Sequence, residues 1–79
     1  MPFLQGERLT ARVDLKSDRE RRRLVVLAAY REAHADPARV ASALEEELRT
    51  LAAWLGLEAV AVTQRGNLAR PLAAALRKS

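Results

Sequence analysis

Cysteine is absent from this 79-residue chain, and histidine occurs once, at His34. The missing cysteine excludes disulfide scaffolds, thiol nucleophiles and thiolate metal sites. A single histidine leaves no residue set for a catalytic triad or a multi-histidine metal centre. We therefore expect no metal, no cofactor and no enzymatic activity from this chain on its own.

Long apolar runs are missing as well, and none approaches the roughly 20 residues that a membrane span needs. Residues 1–10 lack the basic stretch and apolar core of a secretory signal, so we expect a cytoplasmic protein without membrane association. A chain of 8.8 kDa provides one small domain, residues 1–79, and its 49% hydrophobic content suffices for a modest core.

Positive charge is in excess, because 14 basic residues outnumber 10 acidic ones and give a formal net charge of +4. Twelve of the basic residues are arginine, a residue that makes bidentate contacts with phosphate. Alanine is also abundant, with sixteen copies, and high-GC coding enriches arginine and alanine together. Basicity alone therefore indicates an anionic partner only weakly.

The first half of the chain has the periodicity of strands. Leu9, Ala11, Val13 and Leu15 alternate with polar residues, which predicts a strand with one buried face. Gly6-Glu7 precedes it as a two-residue hairpin turn with positive φ at the glycine. A polar turn over residues 17–23 leads to an apolar strand over 24–30. That strand is either flanked at both edges or covered on both faces.

The second half begins with a strong helix start, in which Asp36 is the N-cap and Pro37 the first helical residue. Apolar residues at helical spacing predict a helix over 37–55, and Gly56 ends it in the left-handed conformation. Residues 57–63 predict a short strand and 64–67 a turn. A last helix is expected from Pro71, because a proline four residues into a helix removes a needed N–H.

The resulting order β-β-β-α-β-α predicts a two-layer α+β fold: an antiparallel β-meander plus a fourth strand, with two helices. The fourth strand can join either edge of the meander. Trp54 is expected to pack at the rim of the helix stripe, Glu47 to lay its stem on apolar surface beside an arginine, and His34 to be exposed. The predicted core consists of Leu9, Val13, Val26, Leu44, Leu48, Leu51 and Leu55.

The densest basic feature is the turn over residues 17–23 with its flanks, where Asp18 and Glu20 interrupt a group of cations. Such a turn is suited to phosphate contacts along a DNA backbone without sequence readout. The alternative is a solvated turn that keeps a sheet edge soluble. No aromatic residue lies between the cations, so base stacking is not indicated. The candidate nucleic-acid-binding residues are Arg12, Lys16, Arg19, Arg21, Arg22, Arg23 and Arg65.

Residues 4–19, which read LQGERLTARVDLKSDR, resemble the C-terminal region of a bacterial winged-helix family that includes the interstrand-crosslink-repair DNA glycosylases. LAAWLGL at 51–57 and RGNLA at 65–69 resemble the closing helix, strand and helix of that family. The chain departs from the family pattern at Glu7, Ala11, Ser17 and Asn67. A glycine usual in the hairpin turn is replaced by the arginines at 21–23.

The resemblance implies a role in bacterial DNA repair, but the catalytic glutamine-any-glutamine motif of the family precedes the region that this chain resembles. Gln5 and Gln64 are the only glutamines here. The resemblance therefore implies a non-catalytic accessory C-terminal domain, whose partners are double-stranded DNA and the N-terminal winged-helix region of a parent protein. The alternative is a protein-interaction or scaffolding domain that binds no nucleic acid itself.

Overall fold

The computed structural model describes residues 2–5, 8–63 and 65–78, which form four strands and two helices in the order β-β-β-α-β-α. The predicted α+β class and element order are confirmed. No helix in the described ranges is long and apolar enough to cross a bilayer. The elements are β1 (Pro2–Gln5), β2 (Arg8–Asp18), β3 (Arg23–Arg31), α1 (Pro37–Trp54), β4 (Ala59–Val62) and α2 (Ala69–Lys78).

The four strands form one sheet in the order β1-β2-β3-β4. The first three are antiparallel neighbours, as the meander predicts, and the first hairpin turn, Gly6-Glu7, lies outside the described residues. β4 lies parallel to β3, because α1 carries the chain back along the sheet before β4 begins. β3 is thus flanked by strands at both edges, which explains its apolar sequence and settles which edge β4 joins.

Both helices pack on one face of the sheet, and the core lies between the two layers. β2 shows the expected alternation, since Ala11 and Val13 are buried while Arg12 and Asp14 are exposed. Among the predicted core residues, Leu51 and Leu55 are only partly buried against the cluster. The largest fully buried side chains are Leu24, Leu44, Leu48, Leu68, Leu72, Val13, Val26 and Val40.

Two irregularities in strand pairing change which residues face the core. The pairing of β1 with β2 skips Thr10, so Leu9 is the partner of the exposed Leu4. The prediction that Leu9 belongs to the core is therefore wrong: Leu9 is partly buried outside the core cluster. The pairing of β2 with β3 skips Leu27. This irregularity lets Val26 and Ala29, three residues apart, both be buried.

Helix α1 begins and ends as its sequence predicts. The carboxylate of Asp36 accepts a hydrogen bond of 3.0 Å from the Ala38 N–H, and Pro37 is the first helical residue. Gly56 has a φ of 75°, and the N–H of the buried Leu57 then donates to the Ala52 carbonyl at 2.8 Å. The left-handed glycine thus turns the chain back against the last turn of the helix.

The flanks of α1 differ from the prediction. Helix α2 packs along the flank that carries Glu45, and the Arg49 guanidinium joins the two helices, through Nε to Glu45 (2.8 Å) and through Nη2 to the Leu76 carbonyl (3.1 Å). Because the buried arc is shifted toward α2, Glu45 is buried, whereas Glu47 is exposed. Trp54 is 82% exposed, so the predicted packing of Trp54 and Glu47 against apolar surface is wrong.

Helix α2 begins at Ala69, two residues before the predicted start at Pro71. As the third helical residue, Pro71 lies in the first turn, where backbone N–H groups have no intrahelical partner and a missing one costs nothing. Asn67 does not cap this helix. Its side-chain oxygen instead accepts a 2.7 Å hydrogen bond from the N–H of Arg31, at the end of β3.

The segment between β4 and α2 continues the pairing along β3. Thr63 donates through its N–H to the Val26 carbonyl at 3.0 Å. Further along, the Ala29 N–H donates to the Arg65 carbonyl at 3.0 Å, and the Ala29 carbonyl accepts from the Leu68 N–H at 3.1 Å. Gly66 lies directly against Ala29, where a Cβ atom would be 1.9 Å from the Ala29 oxygen. The close approach of two backbones therefore requires a glycine at position 66.

Candidate nucleic-acid interface

The turn between β2 and β3 consists of residues 19–22 and contains no glycine. Arg22 supplies the left-handed residue instead, with a φ of 53°, a conformation that costs a non-glycine residue roughly 1–2 kcal/mol. The Asp18 carboxylate accepts a 3.2 Å hydrogen bond from the Arg21 N–H and so holds the turn from within.

Two candidate arginines at the end of this turn, Arg22 and Arg23, are engaged within the fold. The carbonyl oxygen of Arg22 accepts a hydrogen bond of 2.6 Å from the Glu58 N–H. The guanidinium Nη1 of Arg22 also lies 3.2 Å from the Glu58 carboxylate. The Nε of Arg23 lies 3.6 Å from the Asp18 carboxylate. The Arg22 contacts tie the turn to the start of β4, and the Arg23 pair joins the two strands of the hairpin. Arg22 and Arg23 are therefore less free to bind a ligand than their sequence positions suggest.

Three other cations of this turn and its flank are exposed. Lys16, Arg19 and Arg21 form no ion pair with any residue in the described ranges. Lys16 projects from the sheet face opposite the helices, and the two arginines lie at the tip of the turn. An unpaired guanidinium at a protruding tip is suited to a phosphate oxygen, since the contact displaces no internal partner. We call Lys16, Arg19 and Arg21 the turn cations.

Arg12 and Arg65 lie at the opposite end of β3. Arg12 pairs across the sheet with Tyr30, and the Arg65 carbonyl accepts from Ala29. Ala29 is six residues beyond Arg23, a separation of roughly 20 Å along a strand. The structure therefore does not bring these two arginines to the turn, and the candidate residues divide into two groups.

The sheet face opposite the helices is mixed in charge. The Arg12 guanidinium lies 3.6 Å from the Glu32 carboxylate, and with Tyr30 it lines an open depression of about 510 Å³. Asp14 projects between Arg12 and Lys16 along β2. This face is therefore not a continuous basic surface, and the turn cations are the better candidate for an anion.

His34 and Glu47 lie on the surface, away from the buried core. Both side chains are exposed, which for His34 is the predicted outcome. Among the described residues no group of three histidine, aspartate or glutamate side chains is placed to hold a metal ion. The N–H groups of Leu68 and Ala69, at the start of α2, donate to backbone carbonyls and are therefore not free to bind an anion.

Sequence reasoning missed Trp54 as a surface residue. On a helical wheel it falls at the margin of the apolar stripe, and that position alone does not distinguish packing from exposure. Whether Trp54 is covered depends on which flank of α1 helix α2 packs against, and that is determined by tertiary contacts. The exposed indole at the end of α1 contributes little to the stability of the fold, because large aromatic side chains stabilise most when they are buried.

Comparison with protein-family models, curated proteins and solved structures gave no match to this chain.

Proposed function

We propose that this chain is a non-catalytic accessory domain that contacts the DNA backbone through the turn between β2 and β3. The observation that carries the proposal is the presence of three exposed turn cations, Lys16, Arg19 and Arg21, without ion-pair partners among the described residues. The turn that presents them is restrained by hydrogen bonds from Arg21 to Asp18 and from Glu58 to Arg22. A pre-ordered basic tip binds phosphates with little loss of backbone entropy.

The setting we propose for this domain is bacterial DNA repair, as the C-terminal part of a winged-helix protein. Support comes from the resemblance of residues 4–19 to that family and from the basic character of the turn. The contact is expected to be independent of base sequence, because phosphate contacts position a protein but do not read bases.

The test is the salt dependence of duplex binding. The wild-type domain is expected to bind duplex DNA with a Kd of about 10⁻⁴ to 10⁻⁶ M and no sequence preference. Because each phosphate contact contributes about −0.9 to the slope of log K against log salt, the double variant R19A/R21A should flatten that slope by up to about 1.8. Fluorescence anisotropy at several salt concentrations measures the slopes, and thermal melting should show unchanged stability because both side chains are exposed.

The matched control is R39A/R70A, which removes the same charge from the first turns of α1 and α2. Arg39 and Arg70 lie at the end of the molecule remote from the turn. The R39A/R70A variant should therefore keep most of the slope of log K against log salt. Equal slopes for wild type and R19A/R21A would contradict the proposal. Equal losses in the two double variants would show that net charge, rather than the turn, determines binding.

The second candidate function is docking to another protein region, the winged-helix part of a parent protein. The observation in its favour is the uncovered sheet face, where Leu4 is 56% and Tyr30 is 46% exposed. Exposed apolar side chains on an unpartnered sheet face are typical of a surface that another domain covers. Absence of DNA binding in the salt experiment would favour this candidate.

A further inference from the structure

The exposed Trp54 lies at the same end of the molecule as the turn cations. Only three residues separate Trp54 from Glu58, whose N–H donates to the Arg22 carbonyl at 2.6 Å. Four peptide units reach at most about 14 Å, so the Cα of Trp54 is no farther than that from the Cα of Glu58. Gly56 shortens the real path, because the chain folds back so that the Leu57 N–H reaches the Ala52 carbonyl.

The indole faces solvent on the flank of α1 that α2 leaves open. It is 82% exposed, and no aromatic neighbour competes for its face, because the chain contains only one phenylalanine, one tyrosine and one tryptophan. Tyr30 is far along β3 from the turn, and Phe3 is buried. The indole is therefore an isolated aromatic platform.

The charges around this platform favour an anion. Lys16, Arg19 and Arg21 are unpaired among the described residues, whereas Asp18 and Glu58 are each engaged by an arginine. Glu20 and Glu47 are the exposed acids on the turn and on the same flank of α1. The turn and its flanks thus keep a net positive charge, and the surplus lies at the tip.

We propose that Trp54 and the two arginines at the tip of the turn, Arg19 and Arg21, bind single-stranded nucleic acid, with the indole stacked on an unpaired base and the guanidinium groups on neighbouring phosphates. The inference rests on the proposed function and extends it from the backbone of duplex DNA to unpaired strands. In a duplex each base is covered by its neighbours, so an exposed indole finds no partner, whereas single-stranded bases offer free faces. The combination of an aromatic platform with a basic track is typical of single-strand binding.

The test measures affinity by fluorescence anisotropy of a labelled oligonucleotide, and the one tryptophan of the chain reports stacking through its own fluorescence. A twelve-nucleotide oligothymidylate should quench Trp54 fluorescence on binding, and an abasic oligonucleotide of equal length should bind more weakly without quenching. Replacing Trp54 by leucine should weaken oligothymidylate binding by about 5- to 100-fold, the range expected for one base stacked on an aromatic ring. W54F should recover part of the affinity, because a phenyl ring still stacks.

Tyr30→Leu is the matched control, since it removes an exposed aromatic side chain remote from the turn and should leave oligothymidylate affinity unchanged. Wild-type affinity in W54L, or equal quenching by the abasic oligonucleotide, would overturn the inference. A blue shift of the indole emission with phosphatidylserine vesicles, and no response to oligothymidylate, would assign the site to a membrane surface instead.

The two proposals fail separately. If R19A/R21A flattens the salt slope on duplex DNA while W54L binds oligothymidylate like wild type, the single-strand inference is wrong and the backbone-contact function stands. If neither duplex nor single strand binds, both are wrong. Far-ultraviolet circular dichroism should show native folding of W54L and W54F, because the replaced side chain is exposed.

Discussion

Replacing Gly66 by alanine is expected to destabilise the domain by at least about 4 kcal/mol, the largest effect of any single change proposed for this chain. Gly66 has a φ of 95°, and a Cβ there would lie 1.9 Å from the Ala29 oxygen and 2.7 Å from its carbonyl carbon. These atoms belong to the backbone of Ala29, so they cannot move aside by a side-chain rotation. Relief requires the strand and the loop to separate, which breaks the hydrogen bonds of Ala29 to Arg65 and Leu68.

Gly56→Ala is the matched control, because it also places alanine at a positive φ but meets no atom within 4 Å. Its cost should be only the conformational one, about 1–2 kcal/mol. Urea denaturation followed by circular dichroism measures both variants, and a G66A protein that is unfolded in buffer counts as agreement while G56A remains folded. A similar loss of unfolding free energy in G66A and G56A would show that the backbones of Gly66 and Ala29 are not in close contact.

Leu48→Ala is expected to cost about 2–5 kcal/mol, as removal of a fully buried leucine does in other cores. Leu48 is 0% exposed at the middle of α1 and belongs to the central cluster. A domain of this size has a total stability of about 4–12 kcal/mol. The substitution should therefore remove a large share of it.

Leu4→Ala provides the comparison at a leucine that is 56% exposed. Surface substitutions of this kind stay within about 0.5 kcal/mol. Chemical denaturation measures the free energy of unfolding of L48A and L4A, and the two values can be compared directly. A loss below about 1 kcal/mol for L48A would contradict the burial of this helix face.

The regular elements were predictable because their signals are local. Alternation in β2, the Asp36-Pro37 cap and the left-handed Gly56 each depend on residues that are close in sequence. Leu9 was misplaced because its direction depends on the skipped Thr10, a feature of pairing between strands that a pattern within one strand does not contain. The start of α2 was misplaced because the prediction makes Pro71 the first helical residue, whereas any position in the first turn tolerates a missing N–H.

The candidate site was predictable only in part, for a similar reason. Sequence identified the cations of the turn, but the ion-pair partners of Arg22 and Arg23 determine which of them remain free. Trp54 is 30 residues or more from every turn residue in sequence, and only the fold places it at the same end. Helix periodicity gives the direction of a side chain relative to its own helix, not relative to the neighbouring helix.

The pairing of β3 with the later part of the chain has a consequence for the order of folding. Contacts such as Arg22–Glu58, Arg31–Asn67 and Thr63–Val26 join residues 36 or 37 positions apart, and closing a loop of that length costs about 3 kcal/mol of chain entropy. The two hairpins of β1–β3 close much shorter loops and should form first. Strand β4 and helix α2 then dock last, and they should be the first to detach in partial unfolding, leaving the β3 edge open to another chain.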